Sequence, residues 1–450
     1  MLAAAAVGVS HLVLSTRAGA DYGLSFVWLI ILISVLKYPA FRFAVDYASL
    51  TGRSLVYAYS RMGRVPLYWL LVSFFVDMFI ATSAVALVTA GLLISVFDLP
   101  LPGPVVAIGV VVLSALFLLN GQYAKAEKLI KVLVVAFSLL TLVAMLIALP
   151  MLGEGGRDLF AEITPSRSLA VFAIAMAGWM PMPMSGSIFI SSWASEKKAL
   201  RPDEFDHGRA VADLRAGWIL TILLAISFTI MGTAMLFQTD RVVPASAGAF
   251  ATELLSVFTA LIGQWSYPMF AAAAIAVMLS TVVALLDVLP RVTASLIDRM
   301  RGQSERGVTS YTLLLAVQVV GVALILLLLL QNFVTFINFA TGTAFITAPA
   351  LAYYNYRAVT DEEIAAHYKP AGALIVWHWA GFAALSAFAL AFFIERFTCR
   401  EPDMRLLSYL LKKQMHGGVI KDDGISDLGQ HDVGRCVKHR LRRGSLGTVA

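Results

Sequence analysis

Two short stretches of this chain combine residue types that bind cations with residues that interrupt a helix. The first is residues 8–11, Gly-Val-Ser-His, and the second is residues 178–186, which contain two prolines and three methionines. Proline lacks a backbone donor, so the second stretch predicts two half-helices joined by an extended segment. Free carbonyls at such breaks coordinate cations, and an imidazole with thioethers suits softer metal ions. The alternative is that both stretches only shape helix packing.

Ionisable residues inside apolar runs are costly and are therefore usually paired or functional. Here they are Lys37, Asp77 and Asp287. Asp287 lies four residues before Arg291, a spacing that predicts a simple helical pair. For Asp77 two interpretations remain open: it carries protons, or it forms an ion pair with Lys37. The lone histidine His11 likewise either binds a metal ion or forms a hydrogen bond between helices.

These residues lie in a chain of 450 residues, of which 59% are apolar and only 14% are charged. A soluble domain is about half apolar and about a quarter charged, so this composition predicts an integral membrane protein in contact with the lipid bilayer. It argues against a soluble enzyme and against a nucleic-acid-binding protein. The sequence contains no nucleophile–base constellation and no phosphate-binding loop, and its two cysteines are too few for a zinc site. We therefore expect neither an enzyme nor a cofactor.

Eleven apolar runs are long enough to cross a bilayer as helices, which takes about 20 residues each. They lie at about residues 2–20, 23–45, 66–96, 104–120, 128–151, 168–194, 210–238, 262–289, 309–330, 332–354 and 371–394. With a cytoplasmic N-terminus, the inner loops carry seventeen Lys and Arg residues and the outer loops carry four. This asymmetry predicts a multi-pass protein of the inner, or plasma, membrane with its N-terminus in the cytoplasm.

The two interrupted runs are the first and the sixth, five runs apart. Paired interruptions at corresponding positions of two halves are typical of transporters built from inverted repeats. The spacing predicts a transmembrane domain over residues 1–395, with repeats at about 1–151 and 168–354 and an additional helix at 371–394. Residues 396–450 hold eleven Lys and Arg residues and little apolar periodicity, so we expect a polar, disordered tail.

Several segments resemble the Nramp family of proton-coupled divalent-metal transporters. The stretch from Thr16 to Gly23, with Phe26-Val27-Trp28 after it, is similar to the glycine-rich link between the first two helices of that family. Ala177-Gly178-Trp179-Met180-Pro181 is similar to its sixth-helix pattern Ala-x-x-Met-Pro-His. The resemblance covers residues 1–395. It implies an all-α membrane protein with a LeuT-like 5+5 inverted repeat, one extra helix, and breaks in helices 1 and 6.

The resemblance also implies which positions would bind the ion. In the sixth helix the ligands would be the Ala177 carbonyl and the Met180 thioether, and Met182 stands where the family has a histidine. In the first helix the family sequence Asp-Pro-Gly-Asn, whose Asp and Asn bind the metal, corresponds here to Gly8, Val9, Ser10 and His11. The metal-binding carboxylate of the first helix is therefore absent, and His11 replaces the asparagine.

Two further departures from the family concern coupling and cavity size. An acidic proton-path residue of the third helix corresponds to Ser83, and a glutamine of the tenth helix corresponds to Gly342. Asp77 is the acidic residue of this region that remains as a candidate proton carrier. The loss of acidic groups predicts metal movement without stoichiometric proton co-transport. The small residues Gly8 and Gly342 predict an enlarged central cavity.

These observations define one candidate site and one predicted function. The candidate metal-binding residues are Gly8, Ser10, His11, Ala177, Met180 and Met182, with Asp77 and Ser83 on a candidate proton path. Without a first-helix carboxylate, we expect weak Mg²⁺ or Ca²⁺ transport and measurable transport of softer ions such as Mn²⁺ or Fe²⁺. The predicted function is a secondary transporter for a divalent transition-metal ion. The alternatives are transport of a small organic solute by the same fold, and a non-transporting sensor with residues 396–450 as its output.

Overall fold

A computed structural model describes residues 8–120, 123–153, 158–161, 166–200, 206–239, 246–302, 309–328 and 333–398 of the chain. Within these ranges the regular structure is helical apart from one isolated β-bridge between Gly23 and Phe160. The predicted all-α class is therefore confirmed. The expected disordered tail lies outside the described residues from position 399 onward, as do residues 1–7 of the first predicted span.

The α-helices of the described residues are labelled in chain order. They are α1 (Thr16–Tyr22), α2 (Val27–Thr51), α3 (Leu55–Arg61), α4 (Arg64–Val76), α5 (Thr82–Phe97), α6 (Gly103–Leu119), α7 (Tyr123–Met151), α8 (Arg167–Trp179), α9 (Gly186–Leu200), α10 (His207–Leu236), α11 (Ala247–Ile262), α12 (Tyr267–Met300), α13 (Tyr311–Leu328), α14 (Phe333–Gly342), α15 (Ala348–Thr360) and α16 (Ala373–Thr398). Two π-helical turns, Ser10–Ser15 and Asp77–Ala81, run directly into α1 and α5.

Eight helical stretches of the described residues are long and apolar enough to cross a membrane. Three shorter apolar helices, α6, α8 and α11, accompany them. A multi-pass membrane protein is therefore confirmed. Helix α11 was not predicted from the sequence, because its 16 residues fall short of a bilayer span. Its N-cap Ser246 accepts a hydrogen bond from the Ala249 amide, and it packs against α5.

The sixth predicted span is divided into two half-helices, as its prolines indicated. Helix α8 ends at Trp179, Met180 is extended with φ −89° and ψ 132°, and α9 begins at Gly186. The prolines also explain which carbonyls are left without a helical donor. In an α-helix the amide of residue i+4 donates to the carbonyl of residue i. Pro181 stands four residues after Ala177, and Pro183 stands four residues after Trp179. Since proline has no amide hydrogen, these two carbonyls have no helical donor.

Two glycines position the first span. A Cβ atom on Gly19 would lie 2.1 Å from the Thr229 carbonyl oxygen of α10, so only glycine allows this close approach of α1 and α10. Gly23 follows α1 with φ 60°, which turns the chain toward α2. The glycine-rich stretch noted in the sequence thus holds the first break beside the centre of α10.

Candidate functional site

A buried cavity of about 60 Å³ lies between the two interrupted spans. Its walls come from the start of the first span, the π-helical turn before α5, the break between α8 and α9, and the middle of α12. The groups on these walls that can coordinate a cation are Ser10, Asp77, Met182, Ser185 and Thr281. One water molecule needs about 10–15 Å³ of such a volume, so the cavity holds an ion with a few waters.

The carboxylate in this cavity belongs to Asp77, the first residue of the π-helical turn Asp77–Ala81. Asp77 is 5% exposed, and its Oδ2 oxygen has no hydrogen-bond partner within the described part of the chain. The Ser185 side chain interacts with the carboxylate. The Thr82 hydroxyl donates to the Asp77 backbone carbonyl at 3.1 Å and itself accepts from Gln318 Nε2 at 3.0 Å, which stabilises the turn. The carboxylate therefore faces the cavity from a fixed backbone position.

The ammonium group of Lys37 lies against the break in the sixth span. Its Nζ atom is within 2.7 Å of the Ala177 carbonyl oxygen, 2.8 Å of that of Gly178, 2.9 Å of that of Met180 and 3.3 Å of that of Met182. Lys37 is completely buried. The carbonyls at a helix C-terminus lack helical donors and carry partial negative charge, so a cation is stabilised there. Lys37 supplies donors to four carbonyl oxygens at the break, and one of them is the Ala177 carbonyl that Pro181 leaves without a helical amide.

The pairing of Lys37 with Asp77, one of the two interpretations of the sequence, is therefore wrong. Four carbonyl oxygens surround the ammonium, and the Asp77 carboxylate faces the cavity instead. Sequence reasoning missed the partner of Lys37. A signal was present, because a proline four residues after Ala177 leaves its carbonyl without a helical donor.

Of the three predicted ligands of the sixth span, only Met182 lines the cavity. The Ala177 carbonyl accepts from Lys37, and the Met180 side chain is fully buried outside the cavity lining. Met182 does line the cavity, with 5% of its surface exposed. Its sulfur packs so close to Gly186 that a Cβ atom there would lie 2.6 Å away. Of the three, Met182 is the side chain that shares a space with Asp77.

The predicted residues of the first span also separate. Gly8 and Ser10 line the cavity, whereas His11 is completely buried outside its lining. His11 Nε2 donates to the Thr221 carbonyl oxygen of α10 at 3.0 Å, since a carbonyl only accepts. His11 Nδ1 lies 3.0 Å from the Ser10 hydroxyl oxygen, and in the neutral imidazole it accepts from that hydroxyl. This geometry gives His11 the hydrogen-bonding role between helices that the sequence left open.

The structure places neither Ser83 nor Gly342 at the cavity. The Ser83 hydroxyl donates to the Phe79 carbonyl of its own helix at 2.6 Å. A Cβ atom on Gly342 would lie 3.1 Å from the Phe392 ring of α16, so this aromatic side chain fills the space that the small residue leaves. The expected enlargement of the cavity at Gly342 is therefore wrong. Gly8 lines the cavity, and a Cβ atom there would make ordinary contact with Thr281 at 3.7 Å.

Comparison with known proteins decides the family. Residues 1–395 match the family described as natural resistance-associated macrophage protein-like, or Nramp. The chain belongs to the Nramp family. An uncharacterized protein of Pasteurella multocida (strain Pm70) is 29% identical over 405 residues, which cover 88% of this chain and 91% of that protein. The resemblance identified in the first, second and sixth helices is confirmed.

Solved structures show the same fold. A variant of the manganese transporter of Eremococcus coleocola has a TM-score of 0.65 at 16% identity, covering 91% of this chain and 89% of that one. Mhp1, a nucleobase-cation-symport-1 family transporter in a closed conformation, has a TM-score of 0.52 at 16% identity, with 91% of each chain covered. These likenesses establish the LeuT-like fold.

Within this Nramp fold, the Lys37 ammonium changes the electrostatics of the sixth-helix break. At an effective dielectric constant of 20, two unit charges 4 Å apart interact by about 4 kcal/mol, so a divalent cation beside Lys37 would be disfavoured by about 8 kcal/mol. The Ala177 carbonyl is already a direct partner of that ammonium. No salt bridge to Asp77 is found among the described residues, and Asp77 is the acidic side chain of the cavity wall. Among the described residues, no cluster of three or more His, Cys, Asp or Glu side chains could hold a metal ion.

Proposed function

We propose that this protein is a secondary transporter that moves a divalent transition-metal ion across the membrane by alternating access. The observation that carries the proposal is the ion-sized cavity between the two interrupted spans, which contains one buried carboxylate with an unpartnered oxygen. A cation that enters this cavity would supply the positively charged partner that the Asp77 carboxylate does not have among the described residues.

The chemistry of the cavity favours a transition metal over Mg²⁺ or Ca²⁺. One carboxylate, hydroxyl groups and the Met182 thioether form a mixed oxygen and sulfur set. Magnesium and calcium favour all-oxygen sites rich in carboxylates, whereas a thioether adds affinity for softer ions. The similar fold of a manganese transporter supports Mn²⁺ as the first ion to test. The cavity volume of about 60 Å³ accommodates an ion with a few waters.

We also propose that the ion moves as a uniport, in the inner membrane, with the N-terminus in the cytoplasm. This part of the proposal is supported by Ser83, a candidate proton-path residue whose hydroxyl is neutral and donates to the Phe79 carbonyl of its own helix. Asp77 is the remaining candidate proton carrier. Because we propose that the metal ion binds to its carboxylate, the same group is not available to carry a proton together with the ion.

The test is flux into proteoliposomes that contain the full chain. Mn²⁺, Fe²⁺, Cd²⁺, Mg²⁺ and Ca²⁺ are offered one at a time, with a metal indicator and a pH dye inside. We expect Mn²⁺ or Cd²⁺ to enter down its gradient with little internal acidification, and Mg²⁺ and Ca²⁺ to enter slowly. Protein-free liposomes are the control. Absence of flux for every ion contradicts the proposed function, and acidification in proportion to metal entry contradicts uniport.

A further inference from the structure

We propose that the ion site of this chain is moved away from the sixth-helix carbonyls and is built around Asp77, with Ser10, Met182 and Ser185 as its other ligands. The inference rests on the proposed function and names the site that performs it. Lys37 is a resident cation at the carbonyls, so the transported ion binds at the carboxylate that this lysine does not neutralise.

The first argument is that the carbonyl oxygens are already used. Ala177, Gly178 and Met180 each accept from Lys37 Nζ within 2.9 Å, and Lys37 is completely buried. An ammonium has three protons, and these three short contacts account for all of them. A metal ion at the same oxygens would have to displace a covalently attached cation. The break in the sixth span is therefore closed to the substrate while Lys37 stays in place.

The second argument is the state of Asp77. Its side chain is 95% buried, its Oδ2 oxygen has no partner within the described ranges, and it faces the cavity. Carboxylates this deeply buried are normally paired with a cation or satisfied by hydrogen bonds. The π-helical turn that presents Asp77 is itself anchored to α13 through Thr82 and Gln318. A rigid, buried and incompletely satisfied carboxylate beside an ion-sized space is the arrangement that a cation completes.

The third argument comes from the orientation of the Ser10 hydroxyl. In the neutral imidazole, Nε2 donates to the Thr221 carbonyl, so Nδ1 is an acceptor and the Ser10 hydroxyl donates to it. The oxygen lone pairs of Ser10 are then free to accept a cation from the cavity. His11 is thus a positioning residue that makes Ser10 an acceptor, although its own ring nitrogens are engaged by the protein.

The sulfur of Met182 gives the site its selectivity. It lies on the cavity wall from the same break as Ser185, whose side chain interacts with Asp77. A set of one carboxylate, two hydroxyls and one thioether accepts Mn²⁺ and favours the softer Cd²⁺. Substitution of the thioether by an apolar side chain of similar size should therefore change Cd²⁺ binding more than Mn²⁺ binding.

The test is metal binding to purified full-length protein by isothermal titration, with Mn²⁺ and Cd²⁺ as the probes. Asp77→Asn should weaken the affinity for both ions by about 100-fold or more, because even outer-shell partners change metal affinity by about 10–100-fold. Asp98→Asn is the matched control, since Asp98 ends the same helix, α5, in an exposed position. Met182→Leu should weaken Cd²⁺ binding at least about tenfold more than Mn²⁺ binding.

Thermal unfolding of the same variants, with and without metal, distinguishes the loss of a ligand from the loss of the fold. Asp77→Asn should unfold at or above the wild-type temperature without metal, because the buried charge is removed, and it should lose the stabilisation that metal gives the wild type. If Asp77→Asn binds Mn²⁺ within about threefold of the folded wild type, the site assignment fails while the proposed function stands. If Asp77→Asn keeps metal flux and loses only proton movement, Asp77 is a proton carrier and the assignment also fails. If the wild type moves no metal, the proposed function itself fails.

Discussion

Replacing Lys37 by methionine tests the interaction between the buried ammonium and the carbonyl oxygens of the sixth-span break. Methionine keeps the apolar stem and removes the ammonium that the carbonyl oxygens of residues 177, 178, 180 and 182 accept from. Each hydrogen bond to a charged group contributes about 1.5–3 kcal/mol, but desolvation of the buried ammonium offsets much of that sum. Each buried carbonyl oxygen left without a donor costs about 1–3 kcal/mol, and the relief of the ammonium desolvation offsets part of that sum, so we expect a net loss of about 3–5 kcal/mol.

The assay is thermal unfolding of the detergent-purified protein, followed by tryptophan fluorescence. At about 2 °C per kcal/mol, Lys37→Met should lower Tm by about 6–10 °C. Lys198→Met is the matched control, because Lys198 Nζ also donates to two carbonyls, those of Ser49 and Leu50, but is only partly buried. Its removal should lower Tm by about 2 °C or less, since water satisfies the freed carbonyls.

Chemical rescue separates the ammonium from the packing of the side chain. Lys37→Ala leaves room for a small amine, and n-propylammonium should restore part of the lost Tm because its three N–H groups replace those of lysine. Tetramethylammonium carries the same charge without N–H donors and should not. Equal Tm values for the wild type and Lys37→Met, with no response to either amine, would refute the role of Lys37 as a resident cation.

Two further predictions concern buried hydrogen bonds between helices. His11→Ala removes the hydrogen bond to the Thr221 carbonyl and should lower the free energy of unfolding by about 1–3 kcal/mol in a denaturant titration. Metal affinity should fall by no more than about tenfold, because the imidazole ring is not a ligand. Complete loss of metal binding would contradict this prediction. Asn355→Leu removes the hydrogen bonds that Asn355 makes with the Tyr59 hydroxyl, the Ala40 carbonyl and the Ser187 hydroxyl and should cost about 3 kcal/mol, whereas Tyr59→Phe should cost about 1 kcal/mol in the same assay.

The helical architecture could be predicted from the sequence because it depends on local features. Runs of about 20 apolar residues predict spans, and prolines at 181 and 183 predict the extended segment between α8 and α9. Helix α11 was not predicted, because its 16 residues are fewer than the roughly 20 apolar residues that define a span. The π-helical turn at Asp77 has no local sequence signal that we can identify.

The candidate site was harder to predict because it depends on which side chain reaches which partner across the fold. Asp77 was identified from its charge alone, and Met182 and Ser10 from their places in the breaks, and all three line the cavity. His11 and Met180 occupy the same breaks but point into the protein. A rotation of about 100° per residue along a helix separates cavity-facing from packed positions, and composition does not reveal it.

The fate of Lys37 and Asp77 shows why opposite charges in a membrane interior need not pair. A carboxylate offers an ammonium one strong partner, whereas the end of α8 offers four carbonyl oxygens within 3.3 Å together with the negative end of a helix dipole. Pro181 removes the amide that would bond the Ala177 carbonyl in a continuous helix, and Lys37 of α2 donates to that carbonyl instead. Asp77 is therefore left facing the cavity, with its Oδ2 oxygen unpartnered within the described residues. A carboxylate in a membrane interior can therefore face an ion-binding space even where a buried lysine lies within the same protein, provided that the lysine is held by other oxygens.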